Sequence, residues 1–236
     1  MNLELTSDQR DRILGFLGYG NLSAPVWFVG LEEGLGGADD EQAARSLQVR
    51  GAFAPAMDLR QGCLNDFDIE KDPLPRTQTW RWMAKIMLAR NGETDWWGKV
   101  EPYIRERLGR SEGETFLTEL SPIPSRTHAD KRRKEWFKKN EPLFEDKLEK
   151  RQKELRSMLK DRAVRGDAPL VIFYGNGHRD RFAEFFGIEW KPVCEDIERS
   201  TDSRFLLLPF LGCGQMKSVV MDKLLEHRLL YTEDET

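Results

Sequence analysis

The sequence predicts an α/β protein with a central, mainly parallel four-stranded sheet that is covered by helices on both faces. Four short segments rich in apolar residues lie far apart in the chain, at 26–29, 115–120, 170–174 and 204–208. Continuous apolar strands are typical of sheets buried on both faces. The segments between them carry helix signals, and strands that alternate with helices pair in parallel. A three-layer α/β/α arrangement is therefore expected, in one domain that spans residues 1–236.

The elements of the first half begin with a helix and a strand. Thr6-Ser7-Asp8-Gln9 has the form of a capping box, so a helix is expected from there to about Leu17. The strand at 26–29 follows it. Residues 38–76 are broken by Pro55, Gly62, Pro73 and Pro75, which predicts a long loop with short helical pieces. Apolar spacing predicts a helix at 77–89 and another at about 96–108.

The second half is expected to alternate strands and helices in the same way. A strand at 115–120 is predicted to stop at Pro122 and Pro124. The segment 126–165 then supplies one or two helices. A strand at 170–174, the turn Gly175-Asn176-Gly177 and a helix to Phe186 come next. The last predicted elements are a strand at 204–208, a loop at 209–214 and a helix at about 215–230.

The charge of the chain is unevenly distributed. The net charge is −4, but residues 126–165 hold 15 Lys and Arg against 8 Asp and Glu, and the rest holds 22 against 33. One interpretation is that this basic segment contacts a polyanion. The other is a solvated helical arm with i,i+4 ion pairs such as Glu149–Lys153.

Composition excludes several classes of protein. No apolar run approaches the roughly 18–20 residues that span a bilayer, and the N-terminus lacks the features of a signal peptide. We therefore expect a cytoplasmic protein without a membrane partner, and a monomer. The three cysteines are scattered, which argues against a disulfide framework and against a complete zinc or iron–sulfur site. No cofactor or metal is expected.

Two adjacent carboxylates follow the first predicted strand. Gly30-Leu31-Glu32-Glu33-Gly34 is expected to form a turn at the carboxyl end of that strand, where open α/β sheets bind their ligands. Such a pair indicates that the carboxylates have a catalytic or ligand-binding role. The alternative is that one carboxylate caps the next helix.

The ends of the four predicted strands resemble the uracil-DNA glycosylase superfamily. In that family one strand ends in a G-x-(D/N)-P-like turn with a catalytic third residue. A second strand ends in a base-reading Asn, and a late strand leads into an H-P-S-type loop that enters the minor groove. Here Gly30-Leu31-Glu32-Glu33-Gly34, Thr118-Glu119 and Leu208-Pro209-Phe210-Leu211 stand in these three places, and Gly175 matches the glycine after the third strand.

Four features of the sequence depart from the family pattern. Glu33 replaces the proline of the first motif. Leu208 replaces the histidine, so help for the departing base must come from elsewhere. Glu119 replaces the asparagine, which argues against ordinary uracil as the substrate. The cysteine set of the iron–sulfur branch is missing.

The resemblance implies a DNA glycosylase that hydrolyses the N-glycosidic bond of a flipped base. Glu32, or alternatively Glu33, would stabilise the positive charge on the sugar and orient a water molecule without a metal. Glu119 would read the base, with Gly30 and Gly34 beside it. An ionised Glu119 accepts from the N4 amino group of cytosine, which favours a modified cytosine and suggests defence against phage DNA; a protonated Glu119 would donate to a carbonyl instead. A structural alternative is that Glu119 pairs with an arginine.

Further residues are candidates for contacts with DNA. Phe53 is expected to stack on the flipped base, whereas Trp80 is assigned to the core. Phe210 and Leu211 are expected to insert into the base stack where the flipped base has left it or, alternatively, to be part of the core. The remaining candidates are the phosphate contacts Arg126, Lys131, Arg132 and Arg133, and the turn residues Gly175 and His178, of which His178 alternatively begins a helix.

Two other functions are compatible with the sequence. In a magnesium-dependent nuclease or phosphohydrolase, oxygen ligands would come from Glu32, Glu33, Asp39, Asp40 or Glu119. A non-catalytic nucleic-acid-binding module would use the basic segment alone.

Overall fold

The computed structural model describes residues 3–34, 39–67, 77–125 and 131–231. The helices of these residues are α1 (Ser7–Gly15), α2 (Asp40–Arg50), α3 (Leu59–Phe67), α4 (Gln78–Arg90), α5 (Val100–Glu106), α6 (Arg132–Asn140), α7 (Phe144–Arg165), α8 (Arg179–Phe186) and α9 (Ser218–Glu226). The strands are β1 (Gly18–Gly20), β2 (Val26–Gly34), β3 (Ala56–Met57), β4 (Thr115–Ser125), β5 (Leu170–Tyr174), β6 (Trp190–Cys194), β7 (Ile197–Ser200) and β8 (Phe205–Leu208).

The strands form one mixed sheet in the order β3-β1-β4-β2-β5-β8-β7-β6. The α/β class is confirmed. The four predicted strands are β2, β4, β5 and β8, which lie next to one another and pair in parallel. The sheet is nevertheless larger than the predicted four strands, because β1 and β3 extend one side and the antiparallel β7 and β6 extend the other.

Side chains of β2 alternate between two cores. Val26 and Phe28 belong to one core with residues of α4 and α9, whereas Trp27 and Val29 belong to another with residues of α7 and α8. All four side chains are buried, as expected for a strand with helices on both faces. A third core joins α1, α2 and α6.

Two strands run beyond their predicted ends. The predicted turn at 30–34 is instead the second half of β2, paired with β4 through Gly30–Glu119 and Glu32–Ser121. Pro122 and Pro124 do not stop β4. Among the described residues, β1 pairs with β4 at 116 and 117 alone, so one side of β4 is open farther on, and proline is tolerated at an open edge.

The predicted loop at 38–76 is largely regular where it is described. It contains α2, β3 and α3, and residues 68–76 lie outside the described residues. Asp39 begins α2 with a capping box, because its side chain accepts from the backbone of Gln42 and the Gln42 side chain accepts from the backbone of Asp39. Two of the potential magnesium ligands therefore have structural partners. Asp39 caps α2, and Asp40 forms an ion pair with Arg132.

The basic segment forms the two helices α6 and α7, and its charge is partly internal. Arg133, Arg151 and Arg162 are buried. The guanidinium of Arg151 donates to the backbone carbonyls of Phe16 at 2.5 Å and Glu119 at 2.8 Å. It also reaches the carbonyls of Leu120 and Leu17. This side chain therefore ties α7 to β4 and to the segment before β1. Exposed i,i+4 pairs such as Glu149–Lys153 occur on the outer face.

No helix in the described ranges has both the length and the apolar character that crossing a bilayer requires. The three cysteines are free thiols, with Cys63 buried and Cys213 exposed.

Replacing Arg151 by Met is expected to lower the free energy of unfolding by at least about 3 kcal/mol, because several buried carbonyls lose their donor. The neighbouring exposed Lys150 is the matched control, and Lys150→Met should change stability by less than about 0.5 kcal/mol. Urea unfolding of both variants measures this. Equal effects of the two substitutions would contradict the role given to Arg151.

Candidate active site at the carboxyl ends of the parallel strands

A cavity of about 270 Å³ opens at the carboxyl ends of the central strands. We call it the sheet-edge pocket. The residues of its lining that bear on function are Tyr19, Glu32, Glu33, Trp80, Glu119, Arg151, Tyr174 and Phe210. Because β2 pairs with β4 on one side and β5 on the other, the chain reverses its direction of progress across the sheet here. Such switch points are where open α/β sheets bind ligands.

Glu119 and Tyr174 meet over Gly30 in this pocket. The Tyr174 hydroxyl donates to Glu119 Oε1 at 2.6 Å. Glu119 Oε2 is enclosed and has no hydrogen-bond partner. A Cβ atom on Gly30 would lie 2.0 Å from that oxygen and 2.4 Å from the Tyr174 hydroxyl. Glycine at position 30 is therefore what allows the two side chains to pack against the strand.

Burial raises the pKa of Glu119 to about 8, and the nearby carboxylates of Glu33 and Glu32 act in the same direction. The Tyr174 hydrogen bond and the positive charge of Arg151 oppose this shift. Burial and the neighbouring Glu119 also raise the pKa of Tyr174. At neutral pH Glu119 is thus mainly a neutral acid, which carries one O–H donor. The alternative that Glu119 forms an arginine pair is not observed, since Arg151 bonds its backbone carbonyl rather than its carboxyl group.

The adjacent acids Glu32 and Glu33 have different environments. Glu33 forms a two-pronged ion pair with Arg50 of α2, at 2.6 and 3.0 Å. Glu32 instead accepts a hydrogen bond of 2.7 Å from the hydroxyl of Ser125. The charge of Glu33 is therefore balanced by a buried guanidinium. Glu32 is the better candidate of the two for catalysis, because both carboxylate oxygens of Glu33 are occupied by Arg50.

Aromatic rings form the walls of the pocket, but the predicted ring, that of Phe53, is not among them. Phe210 and Tyr174 lie 6.1 Å apart between ring centroids, and Trp80 and Tyr19 also line the cavity. Phe53 is buried behind this wall, against Phe16 and Tyr19. It is not placed to stack on a base in the pocket.

The predicted DNA-contacting turns lie mostly elsewhere. Leu208, Pro209 and Leu211 are buried, so Phe210 is the only member of that loop with a partly accessible side chain. Leu211 is part of the core rather than a side chain that inserts into the base stack. Gly175 adopts a left-handed conformation with φ of 105° and begins the turn that leads through His178 into α8. Neither Gly175 nor His178 is among the described residues that line the pocket.

A second cavity, of about 700 Å³, adjoins the first. Glu32 and Ser121 line both. We call the second cavity the basic cleft, because its walls carry Lys131, Arg133, Lys134, Lys138, Arg156 and Arg181 against Glu32, Glu135 and Glu184. Of the predicted phosphate contacts, Lys131 and Arg133 are here, although Arg133 is buried. Arg132 pairs with Asp40 and does not line the cleft, and Arg126 lies outside the described residues.

Sequence reasoning missed several residues of this site. Tyr174 stands at the last position of a predicted strand, a signal that could have placed it at the sheet edge. Arg156 and Arg181 belong to different helices, and no local pattern connects them. Within the described ranges, no group of three or more His, Cys, Asp or Glu side chains is arranged to hold a metal ion.

Comparison with known proteins gives no family assignment. Scans against protein-family models, against curated proteins and against solved structures return no match. Function is therefore inferred from the side chains of the site.

Gly30→Ala is expected to destabilise the fold by about 1–3 kcal/mol, because its methyl group overlaps Glu119 and Tyr174. Gly34→Ala is the matched control on the same strand, since nothing lies within 4 Å of a Cβ atom there. Thermal and urea unfolding of the two variants measure the difference. A Gly30→Ala protein as stable as the Gly34→Ala protein would contradict the packing described above.

The pH dependence of stability tests the environment of Glu119. Between the ordinary value of 4.5 and the folded pKa of about 8, the folded protein keeps a proton that the unfolded chain releases. The wild type should therefore lose stability relative to Glu119→Gln as pH rises, by about 1.4 kcal/mol per pH unit in this interval. Urea unfolding of both proteins at unit steps of pH measures it. A constant difference across the interval would show that the pKa of Glu119 is not raised.

Proposed function

We propose that this protein is a DNA glycosylase, a divergent relative of the uracil-DNA glycosylase superfamily, which hydrolyses the N-glycosidic bond of a modified base. One observation carries the proposal: an aromatic-walled pocket at the strand ends holds the carboxylate of Glu32 and the enclosed carboxyl of Glu119 together. Glu32 is a candidate to act on the reacting sugar, and Glu119 is a candidate to bind the edge of the base.

Glu32 is the proposed catalytic residue. Cleavage of the bond between C1′ and the base leaves positive charge on the sugar, which an anionic carboxylate stabilises. The same carboxylate orients a water molecule and accepts its proton as the water oxygen attacks C1′. Ser125 holds Glu32 Oε1 by its hydrogen bond, so the carboxylate keeps a fixed orientation. Glu33, paired with Arg50, supports the fold of this edge instead.

Glu119 and Tyr174 are the proposed base-reading pair. As a neutral acid Glu119 donates from one oxygen, so it matches a base edge with an acceptor. Cytosine offers N3 as that acceptor next to the N4 donor, and uracil offers O4 next to the N3 donor. A hydrogen bond to the base also stabilises the negative charge that the base acquires on leaving. This supplies the help that the histidine replaced by Leu208 would have given.

The aromatic rings supply the face for the base. The rings of Phe210 and Tyr174, 6.1 Å apart, line the cavity, and Trp80 also contributes to its lining. The cavity is larger than a pyrimidine ring needs, so we propose a base with a substituent, with a modified cytosine first. Defence against phage DNA that carries such bases would follow from this substrate. We propose action as a monomer in the cytoplasm.

Base excision in excess EDTA tests the proposal. Single-stranded and duplex DNA with uracil, hydroxymethylcytosine or glucosylated hydroxymethylcytosine is incubated with the protein and probed for alkali-labile abasic sites. We expect release of one of these bases, and a rate at least about 100-fold lower for Glu32→Gln because the carboxylate is lost.

Glu189→Gln is the matched control, since Glu189 is exposed and lines neither cavity. It should retain the wild-type rate. Absence of base release from every substrate would contradict the proposal. Strand cleavage that appears only after magnesium is restored would favour the nuclease alternative.

A further inference from the structure

We propose that the basic cleft binds the phosphodiester backbone of a nucleic-acid strand whose base occupies the sheet-edge pocket, with Lys134, Arg156 and Arg181 as phosphate ligands. The inference rests on the proposed function and deepens it. It identifies the surface that holds the strand on either side of the target base. It also places the phosphate contacts on three helices instead of at the predicted Arg126, Lys131, Arg132 and Arg133.

The fold brings these cations together from distant parts of the chain. Lys134 lies on α6, Arg156 on α7 and Arg181 on α8, and all three line the cleft. Among the described residues, the cleft is lined by six Lys and Arg side chains and three Glu side chains, although the whole chain has a net charge of −4. The positive charge is therefore a local property of this surface, and it is complementary to a polyanion.

The three proposed ligands are accessible. Lys134, Arg156 and Arg181 are all exposed, and none forms an ion pair with another described residue. Arg156 is held in place by the ring of Phe185, 5.1 Å from its guanidinium carbon to the ring centroid. Lys138, in contrast, is paired with Glu145 at 2.7 Å. An incoming phosphate would thus meet cations that have no competing carboxylate bound.

The position of the cleft relative to the pocket matches the connectivity of a nucleotide. Glu32 and Ser121 form part of the boundary between the two cavities. In a nucleic-acid strand the sugar lies between the base and the phosphates. A base in the pocket and phosphates in the cleft would therefore put the sugar beside Glu32, where the proposed reaction requires it.

Binding of an unmodified single-stranded DNA oligonucleotide, followed by fluorescence anisotropy over a range of salt concentrations, tests this inference. The variant is Lys134→Glu with Arg181→Glu. We expect binding at low salt to weaken at least about tenfold, and the slope of log Kd against log salt to fall by about 1.4, since each lost phosphate contact contributes about 0.7 for a single strand.

The matched control is Lys150→Glu with Lys160→Glu, which makes the same change in net charge at two exposed positions of α7 that do not line the cleft. Both double variants should unfold at the same temperature as the wild type. Equal weakening of DNA binding in the two variants would overturn the inference.

Two further outcomes separate this inference from its alternatives. The probe contains no modified base, so its binding measures the cleft independently of excision. Cleft-dependent binding of this probe, together with no base release from any substrate of the excision assay, would contradict the proposed function and support the cleft. Vesicles of phosphatidylcholine with phosphatidylserine are the second probe. If the cleft variant loses vesicle binding while DNA binding is unchanged, the inference is overturned in favour of an acidic lipid surface.

Discussion

The buried guanidinium of Arg151 is the interaction on which the candidate site depends. It lies on α7, lines the sheet-edge pocket, and donates to carbonyls on both sides of it, at 16 and 17 and at 119 and 120. Buried carbonyls without donors are costly, so these segments would not stay in place without it. The same cation lies close enough to Glu119 to lower its pKa, against the larger effect of burial.

Three carboxyl groups share the pocket, and their surroundings give them different properties. Glu33 is balanced by Arg50, Glu32 is held by a hydroxyl group, and Glu119 is enclosed and raised in pKa. When the surroundings give neighbouring acids different pKa values, one site can hold both an anionic group and a neutral donor. Gly30 is part of this arrangement because a Cβ atom at this position would overlap the observed positions of Glu119 and Tyr174.

Local patterns predicted the centre of the sheet but not its edges. The runs at 26–29 and 170–174 are continuous and apolar, and both form strands. By contrast, β1 is only Gly18-Tyr19-Gly20 and β6 contains Pro192, so neither has a strand signal. Their pairing is decided by neighbours distant in sequence. The helix α2 could have been predicted, because Asp39 and Gln42 have the spacing of a capping box.

The site was predictable only where it depends on strand ends. Glu32 follows an apolar run, Glu119 stands near the end of the next predicted strand in the place of the family's asparagine, and parallel strands bring their carboxyl ends to one edge. The prediction of Phe53 as the stacking ring is wrong because tertiary packing, which no local pattern encodes, buries that ring against Phe16 and Tyr19. The basic cleft required the packing of α6, α7 and α8, which no sequence period encodes.

The most direct test of the account is a crystal structure with a DNA strand that carries a 2′-fluorinated modified cytidine. The fluorine destabilises positive charge on the sugar, so the glycosidic bond survives in the crystal. The account predicts the base in the sheet-edge pocket beside Phe210 and Tyr174, its edge hydrogen-bonded to Glu119, and the Glu32 carboxylate facing C1′. A base bound outside this pocket, or a sugar turned away from Glu32, would contradict it.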